Sequence, residues 1–295
     1  MNNIKLYTYV RGDNIKNYGL VLGGGGAKGA YQIGVLHALS HYEIYNEITA
    51  ISGTSIGALN MVLTQQLSTF EAIDIWKNDI GRILFNDNIS TSEIMDMLRT
   101  IKTSNPPDKA YLKDRVGLVK FFKSIKLKNL SYSKNKLFAT CTDVTKTTSK
   151  SSNIEIATAW YNNKQYGKAS YLPINNQTEE TIYKILLASS AIPLIYQPVQ
   201  INGKYYADGG LTDNLPINPI NNLYYKHIIA ISCRNVLNAK LKSRYPNSTI
   251  YFIKPSFDLG NLFSGTLNFN KEKISHMINL GYKDGLQYIK NYIIK

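Results

Sequence analysis

Three short stretches carry residue types able to act together. Gly53-Thr54-Ser55-Ile56-Gly57 places glycines two before and two after a serine, a spacing that permits a sharp strand-to-helix turn presenting the hydroxyl at a sheet edge. Gly24-Gly25-Gly26-Ala27-Lys28-Gly29 is a run of small residues whose backbone N–H groups can gather negative charge, whether a bound phosphate or a developing oxyanion. The competing reading of that run is a glycine turn needed only for tight strand–helix packing. Asp208-Gly209-Gly210 supplies a carboxylate with open space around it, and an aspartate with its ordinary pKa of about 4 is ionised and able to accept a proton. Asp-Gly is also a common turn pair, and taken alone the turn is the stronger reading.

A serine hydroxyl is a poor nucleophile until a base takes its proton. The four histidines, His37, His41, His227 and His276, all lie outside glycine-rich loops. His37 and His41 are four apart on one helix, but no glutamate follows His37 as a zinc-protease motif requires. They read as ordinary helix residues, and no metal is expected. A Ser-His-Asp triad therefore lacks support, and Asp208 is the better base candidate.

The loop from Gly24 to Gly29 also fits G-x-G-x-x-G, so a dinucleotide site has to be weighed. Such a site needs an acidic residue at the end of the second strand to hold the ribose. Here Glu43 and Glu47 precede that strand, and its end carries Ser52-Gly53-Thr54-Ser55. A P-loop fails sooner, because Lys28 follows Ala27 rather than glycine. No nucleotide cofactor, and no other cofactor, is expected.

The elements that must position these residues follow from periodicity. Leu20-Val21-Leu22 reads as a buried strand ending at the glycines, and Ile33, Val35, Leu36 and Leu39 recur at helical spacing directly after them. A second strand, Ile48 to Ile51, runs into the serine turn, and a helix starts near Ile56. Further strands are expected at Leu137 to Cys141, Ile154 to Ala159, Lys204 to Ala207, Ile228 to Ser232 and Thr249 to Ile253. Helices are expected at Glu179 to Ser189 and Lys271 to Tyr292. Strands alternating with helices predict an α/β fold, a three-layer sandwich with a mostly parallel central sheet flanked by helices. Its ligands should lie beyond the carboxyl ends of the strands. No repeat or linker interrupts the pattern, so one domain over residues 1–295 is expected.

Composition narrows the function class. With 44% hydrophobic and 18% charged residues among 295, the chain has ample material for a core and is not of the disordered class. Lys and Arg number 34 against 20 acids, a net charge of +14, which favours anionic partners. No nucleic-acid motif accompanies the charge, so an anionic membrane surface is the expected contact and nucleic acid is not. The uncharged stretch from Ile48 to Phe70 is long enough to span a bilayer but carries Gly53, Gly57, Asn60, Gln65 and Gln66, which a lipid-facing helix does not tolerate. Cys141 and Cys233 are the only cysteines, too few for a disulfide framework. The start lacks an apolar signal segment. The expectation is a cytoplasmic protein with peripheral membrane contact, secretion without a cleavable signal being the other route. Within the basic segment from Arg99 to Lys136, Phe121-Phe122 sit among Lys120, Lys123, Lys126 and Lys128. They read either as a membrane-facing patch or as core aromatics on a solvated helix.

Taken together, the G-G-G-x-K-G loop, the G-x-S-x-G turn and the distal D-G-G, in this order, resemble the patatin-like phospholipase family. Gly34-Val35-Leu36, Ala188-Ser189-Ser190-Ala191-Ile192-Pro193 and Asp213-Asn214-x-Pro216 extend the likeness over about Tyr18 to Pro219, with a looser match at Gly281-Tyr282. The C-terminal strands and helix would complete the domain. The resemblance implies a Ser-Asp dyad hydrolase of lipid acyl esters, of phospholipase A or lysophospholipase type. Ser55 would be the nucleophile in an elbow made by Gly53, Thr54, Ile56 and Gly57. Asp208 would be the base, in a loop opened by Gly209 and Gly210. The amides of Gly24, Gly25, Gly26, Ala27, Lys28 and Gly29 would form the oxyanion hole. Family members often carry Arg at this position; Lys28 keeps the charge but loses the planar fork, so a specific head-group contact is not expected of it. Asp213 and Asn214 are expected to support the Asp208 loop. Acyl transfer through the same acyl-enzyme, and a membrane-degrading effector awaiting an unknown activator, are the alternative activities. A non-catalytic scaffold fits least, since Ser55, Asp208 and the loop are all present.

Overall fold

The computed structural model describes residues 17–85, 115–147 and 155–294, apart from 157, 160, 161, 163, 165, 194, 237 and 238. The first half of the basic segment from Arg99 therefore lies outside the described residues.

β1 (Tyr18–Leu22) runs into the glycine loop and then α1 (Gly29–His41), and β2 (Ile48–Thr54) into α2 (Ile56–Gln66) and α3 (Thr69–Asn78). The later elements are α4 (Val116–Ser124), β3 (Lys136–Asp143), β4 (Lys168–Pro173), α5 (Glu179–Ser189), β5 (Val199–Ile201) and β6 (Lys204–Asp208). β7 (His227–Ile231), β8 (Thr249–Ile253) and α6 (Lys271–Tyr288) close the order. The strands form one eight-stranded sheet in the order β5-β6-β3-β2-β1-β7-β8, with β4 on β3. The pairings β3–β2, β2–β1, β1–β7 and β7–β8 are parallel. Those of β4, β5 and β6 are antiparallel.

Alternation along the strands builds the layers, because successive side chains point to opposite faces. Leu20, Leu22, Ile229 and Ile231 enter a core with α1, α2 and α6. Val21, Ile228 and Ala230 enter another with Ile217, Ile220 and Tyr245. Helices thus cover both faces of a mostly parallel sheet. α1 crosses α6 at very close range, since a Cβ on Gly34 would lie 2.0 Å from the Ile278 carbonyl oxygen and one on Gly281 2.0 Å from that of Tyr31. This crossing accounts for the small residues in both stretches.

Two expectations fail. Ile154 to Ala159 does not form a strand, since its described residues are helical; Ile156 and Ala159, three apart, are both buried, the spacing of one helix face rather than of a strand face. The membrane-facing reading of Phe121-Phe122 fails as well. Phe122 is buried against Tyr183 with ring centroids 5.3 Å apart, and Phe121 is half-buried against the core. Lys120, Lys123, Lys126 and Lys128 are exposed, so α4 is a solvated helix with its aromatics turned inward. The uncharged stretch from Ile48 is β2 and α2, buried in the core. Among the described residues no helix is long and apolar enough to cross a membrane.

Candidate active site

The sheet registers bring the serine and the aspartate together. β4 covers Phe138–Asp143 along one edge of β3. β2 pairs with Lys136–Thr140 and β6 with Cys141–Asp143, so β2 and β6 lie end to end along the other edge, running towards each other. Their carboxyl ends meet where Thr54 stands opposite Thr140 and Asp208 opposite Cys141. Ser55, one residue beyond β2, donates its hydroxyl hydrogen to Asp208 Oδ2 at 2.6 Å. Both residues are buried.

Ser55 has φ 55° and ψ −122°, a conformation that costs a non-glycine residue about 1–3 kcal/mol and persists only when its surroundings impose it. The helix start imposes it, with the amides of Ala58 and Leu59 donating to the Ser55 carbonyl at 2.9 and 3.2 Å. The turn closes only around glycines, because a Cβ on Gly57 would lie 2.2 Å from the Leu22 carbonyl oxygen and one on Gly53 2.6 Å from the Ala58 nitrogen. Ser189 adds a brace: its hydroxyl accepts from the Ser55 amide at 3.0 Å and donates to the Thr140 carbonyl at 2.7 Å. Thr54 donates to the Asp213 carbonyl at 2.8 Å.

Asp208 is held from every side. Its amide donates to the Ala191 carbonyl at 3.0 Å, its carbonyl accepts from Thr142 at 2.8 Å, and Oδ1 accepts from the Gly210 amide at 2.7 Å. Burial raises its pKa to about 6, opposed by the hydrogen bonds from Ser55 and Gly210 and by the charge of Arg115. Arg115 donates to the carbonyls of Leu187 and Ser190 and lies over the Tyr196 ring. The carboxylate is thus ionised at neutral pH yet basic enough to take a proton.

The glycine loop packs against this pair. Gly24 exchanges backbone and side-chain hydrogen bonds with Asn214, at 3.0 and 3.3 Å. The Lys28 amide donates to the Gly25 carbonyl and the Gly29 amide to those of Ala27 and Gly26. The amides of Gly24, Lys28 and Gly29 are therefore engaged within the protein, while those of Gly25, Gly26 and Ala27 have no acceptor among the described residues; of these three, Gly25 and Gly26 line the cavity and Ala27 does not. A buried chain of side chains holds the loop to the elbow helix. Trp76 donates to Asn60 at 2.9 Å, Asn60 to Gln32 at 2.9 Å and to the Gly29 carbonyl at 3.0 Å, and Gln32 to the Gly23 carbonyl at 2.7 Å. The sequence signal for this chain is the polar pair Gln32 and Asn60 inside apolar helices.

Ser55, Asp208 and Gly24 to Gly26 open on a cavity of about 650 Å³, whose lining also includes Cys233, Arg234, Asn261, Leu262, Phe263 and Thr266 from the chain after β7 and β8, with Cys233 and Thr266 packed against Gly25 and Gly26. None of these residues belongs to a sequence motif. Lys28 reaches the same cavity. It is only 9% exposed, its ammonium has no hydrogen-bond or ion-pair partner among the described residues, and burial lowers its pKa. Cys233 beside it is no counter-ion, since burial pushes its thiol up to about 12. Among the described residues no histidine lines the cavity, and none belongs to a metal-holding cluster. His37 bonds Thr69 at 2.9 Å on the far side of α1, and His227 stacks on Tyr251.

The chain is similar to an uncharacterized NTE family protein of Mycobacterium tuberculosis, 27% identical over 244 residues covering 81% of this chain and 55% of the relative. It is 26% identical over 219 residues to lysophospholipase NTE1 of Phaeosphaeria nodorum, covering 73% of this chain and 12% of that protein. The chain thus spans about half of the mycobacterial relative and a small fraction of the fungal one. Among solved structures, VipD from Legionella pneumophila superposes with a TM-score of 0.53 at 15% identity, covering 94% of this chain and 67% of that one, a likeness of fold. Residues 20–220 match the family model described as patatin-like phospholipase, and on that match the chain belongs to the patatin-like phospholipase family.

Proposed function

We propose that the chain is a serine hydrolase that cleaves fatty-acyl esters of lipids, of phospholipase A or lysophospholipase type, through a Ser55–Asp208 dyad. The observation that carries this reading is the 2.6 Å hydrogen bond from the strained Ser55 to Asp208, beside the unengaged amides of the cavity-lining Gly25 and Gly26. Family membership and the lysophospholipase relatives support the lipid ester as substrate.

Asp208 takes the Ser55 proton as Oγ attacks the acyl carbonyl carbon. The tetrahedral oxyanion accepts from the amides of Gly25 and Gly26, each such donor lowering the barrier by about 3–4 kcal/mol in comparable sites. As the intermediate collapses, the carbonyl carbon's bond to the lysolipid oxygen breaks, and that oxygen takes the proton from Asp208. Water then attacks the acyl-enzyme, giving its proton to Asp208, which returns it to Ser55 as the fatty acid leaves. The unpaired Lys28 ammonium suits a phosphate-bearing lipid, since a buried cation is costly until an anion joins it.

The test is fatty-acid release from mixed phospholipid vesicles by wild type, Ser55→Ala and Asp208→Asn, with fluorophosphonate labelling of Ser55. Release by wild type that both variants lose supports the dyad. A wild type that neither releases fatty acid nor reacts with the fluorophosphonate would overturn it.

A further inference from the structure

The sheet registers also fix which loops surround the cavity mouth. Leu22 stands opposite Gly53 on one side and Ile231 on the other, and Ile231 stands opposite Ile253. The glycine loop, the serine elbow and the loops after β7 and β8 therefore leave the sheet at one edge. The last two loops are tied together. Asn235 Nδ2 donates to the Ser256 carbonyl at 3.4 Å, and Lys254 Nζ donates to Asn235 Oδ1. Each then offers an apolar side chain to water, Val236 at 54% exposure and Phe257 at 70%. Both loops also reach the cavity, through Cys233 and Arg234 on one and Asn261 on the other.

Most other exposed large apolar residues differ in kind. Tyr132, Tyr224 and Tyr292 end in hydroxyls, and Phe70 packs edge-on against His37. Val236 and Phe257 have no polar tip and lie on tied loops. Cations accompany them, Arg234 two residues before Val236 and Lys254 three before Phe257, with Lys254 bonded across to Asn235. Asp258 is the only acid of residues 232–240 and 254–261.

We propose that Val236 and Phe257 dock the chain onto an anionic phospholipid bilayer. Their side chains enter the boundary between headgroups and acyl chains, and Arg234 and Lys254 lie against lipid phosphates. The inference rests on the lipid-ester reading above and deepens it. With this face on the bilayer, a lipid passes from membrane to Ser55 without exposing its acyl chain to water. Exposed apolar side chains with a cation on each of their loops suit a headgroup layer, whereas a protein partner more usually meets a contiguous apolar patch or groove.

Docking is tested on the 295-residue chain carrying Ser55→Ala, so that no lipid is consumed, by co-sedimentation with vesicles of mixed phosphatidylglycerol and phosphatidylcholine. Adding Val236→Ser and Phe257→Ser should weaken vesicle binding at least about tenfold. Arg234→Gln with Lys254→Gln should weaken it and flatten its salt dependence. With Ser55 restored, the Val236→Ser, Phe257→Ser chain should hydrolyse a water-soluble short-chain ester like wild type and lose turnover only on vesicles. Unchanged vesicle binding would overturn the docking face, leaving the two side chains to a protein partner, and so would equal losses on both substrates. Absence of soluble-ester turnover in wild type would instead sink the hydrolase reading, while the sedimentation result still decides docking.

Discussion

The two walls of the cavity are built on different terms. The wall of Ser55, Asp208 and the glycine loop is made of buried strand ends whose polar groups are held by neighbours, the amides of Gly25 and Gly26 and the Lys28 ammonium excepted. Asp208 alone is fixed through its amide, its carbonyl and both carboxylate oxygens. The other part of the lining, Cys233, Arg234 and Asn261 to Phe263, follows β7 and β8, on loops that leave Arg234 in water and, outside the cavity, Val236 and Phe257. Reacting atoms have to be placed within fractions of an ångström, and only interlocked backbone does that. Contact with a substrate drawn from a fluid surface asks for exposed charge and apolar area, which loops supply. Substitutions in the first wall should therefore change turnover, and those in the second the capture of substrate.

The sharpest way to break this division is to remove the dyad. Ser55→Ala or Asp208→Asn should each lower kcat by about 10⁴-fold, and the double variant by little more, because the two act as a unit. Steady-state release of fatty acid on soluble and vesicle substrates measures it. Full additivity would show that they do not share one proton. Asp208→Asn carries a second, opposite signature. The Asp208 pKa is raised from 3.8 to about 6 in the fold, so between these values the folded chain holds a proton that the unfolded chain has released. Wild-type stability should fall as pH rises through that window, and Asp208→Asn should lack this contribution. Thermal melts of the two chains at pH 4.5 and pH 7.5 check the sign.

Next in size is the brace. Ser189→Ala leaves the Ser55 amide and the Thr140 carbonyl without their shared partner, at about 1–3 kcal/mol of stability. It should lower kcat about 10²-fold with KM nearly unchanged, since misplacing the nucleophile by about an ångström costs that much. A rise in KM alone would put Ser189 in the substrate pocket and blur the contrast between the walls.

A smaller effect comes from pH. If Asp208 is the base proposed above it must be ionised, so kcat/KM should climb to a plateau through an apparent pKa of about 6, standing about tenfold below the plateau at pH 5. With no histidine on the cavity wall among the described residues, no second group there should shape the rise. A profile flat from pH 5 to 8 would remove Asp208 as the base.

The same contrast explains what the sequence made legible. Ser55, Asp208 and the glycine loop are readable because each needs small residues at fixed spacing, and Gly53 and Gly57 show why, as any side chain there would strike backbone. The meeting of Ser55 with Asp208, 153 positions apart, is not local information. It depends on β2 and β6 sharing one edge of β3, and β6 arrives antiparallel in a sheet whose β-α alternation predicts parallel strands. Ile154 to Ala159 misleads in the other direction, because a short apolar run can alternate like a strand and still bury one helical face. The lining after β7 and β8 carries no motif at all. Arg234 and Phe257 gain meaning only from where β7 and β8 end.

Lys28 sits on the boundary between the walls and gives the smallest and most diagnostic effect. It belongs by sequence to the glycine loop, yet its ammonium faces the cavity without a partner among the described residues. Were it a structural residue of the rigid wall, Lys28→Met would destabilise the chain and lower turnover on every ester. If it waits for a phosphate, relieving an unpaired buried charge should leave the fold as stable or about 1 kcal/mol more so. KM for a phosphate-bearing lysolipid should then rise about three- to tenfold, as expected for one exposed-to-partly-buried charge contact. A neutral short-chain ester should keep its KM and kcat. Measuring both esters and a melting curve on this one variant separates the two outcomes, because only a ligand contact divides the substrates by charge.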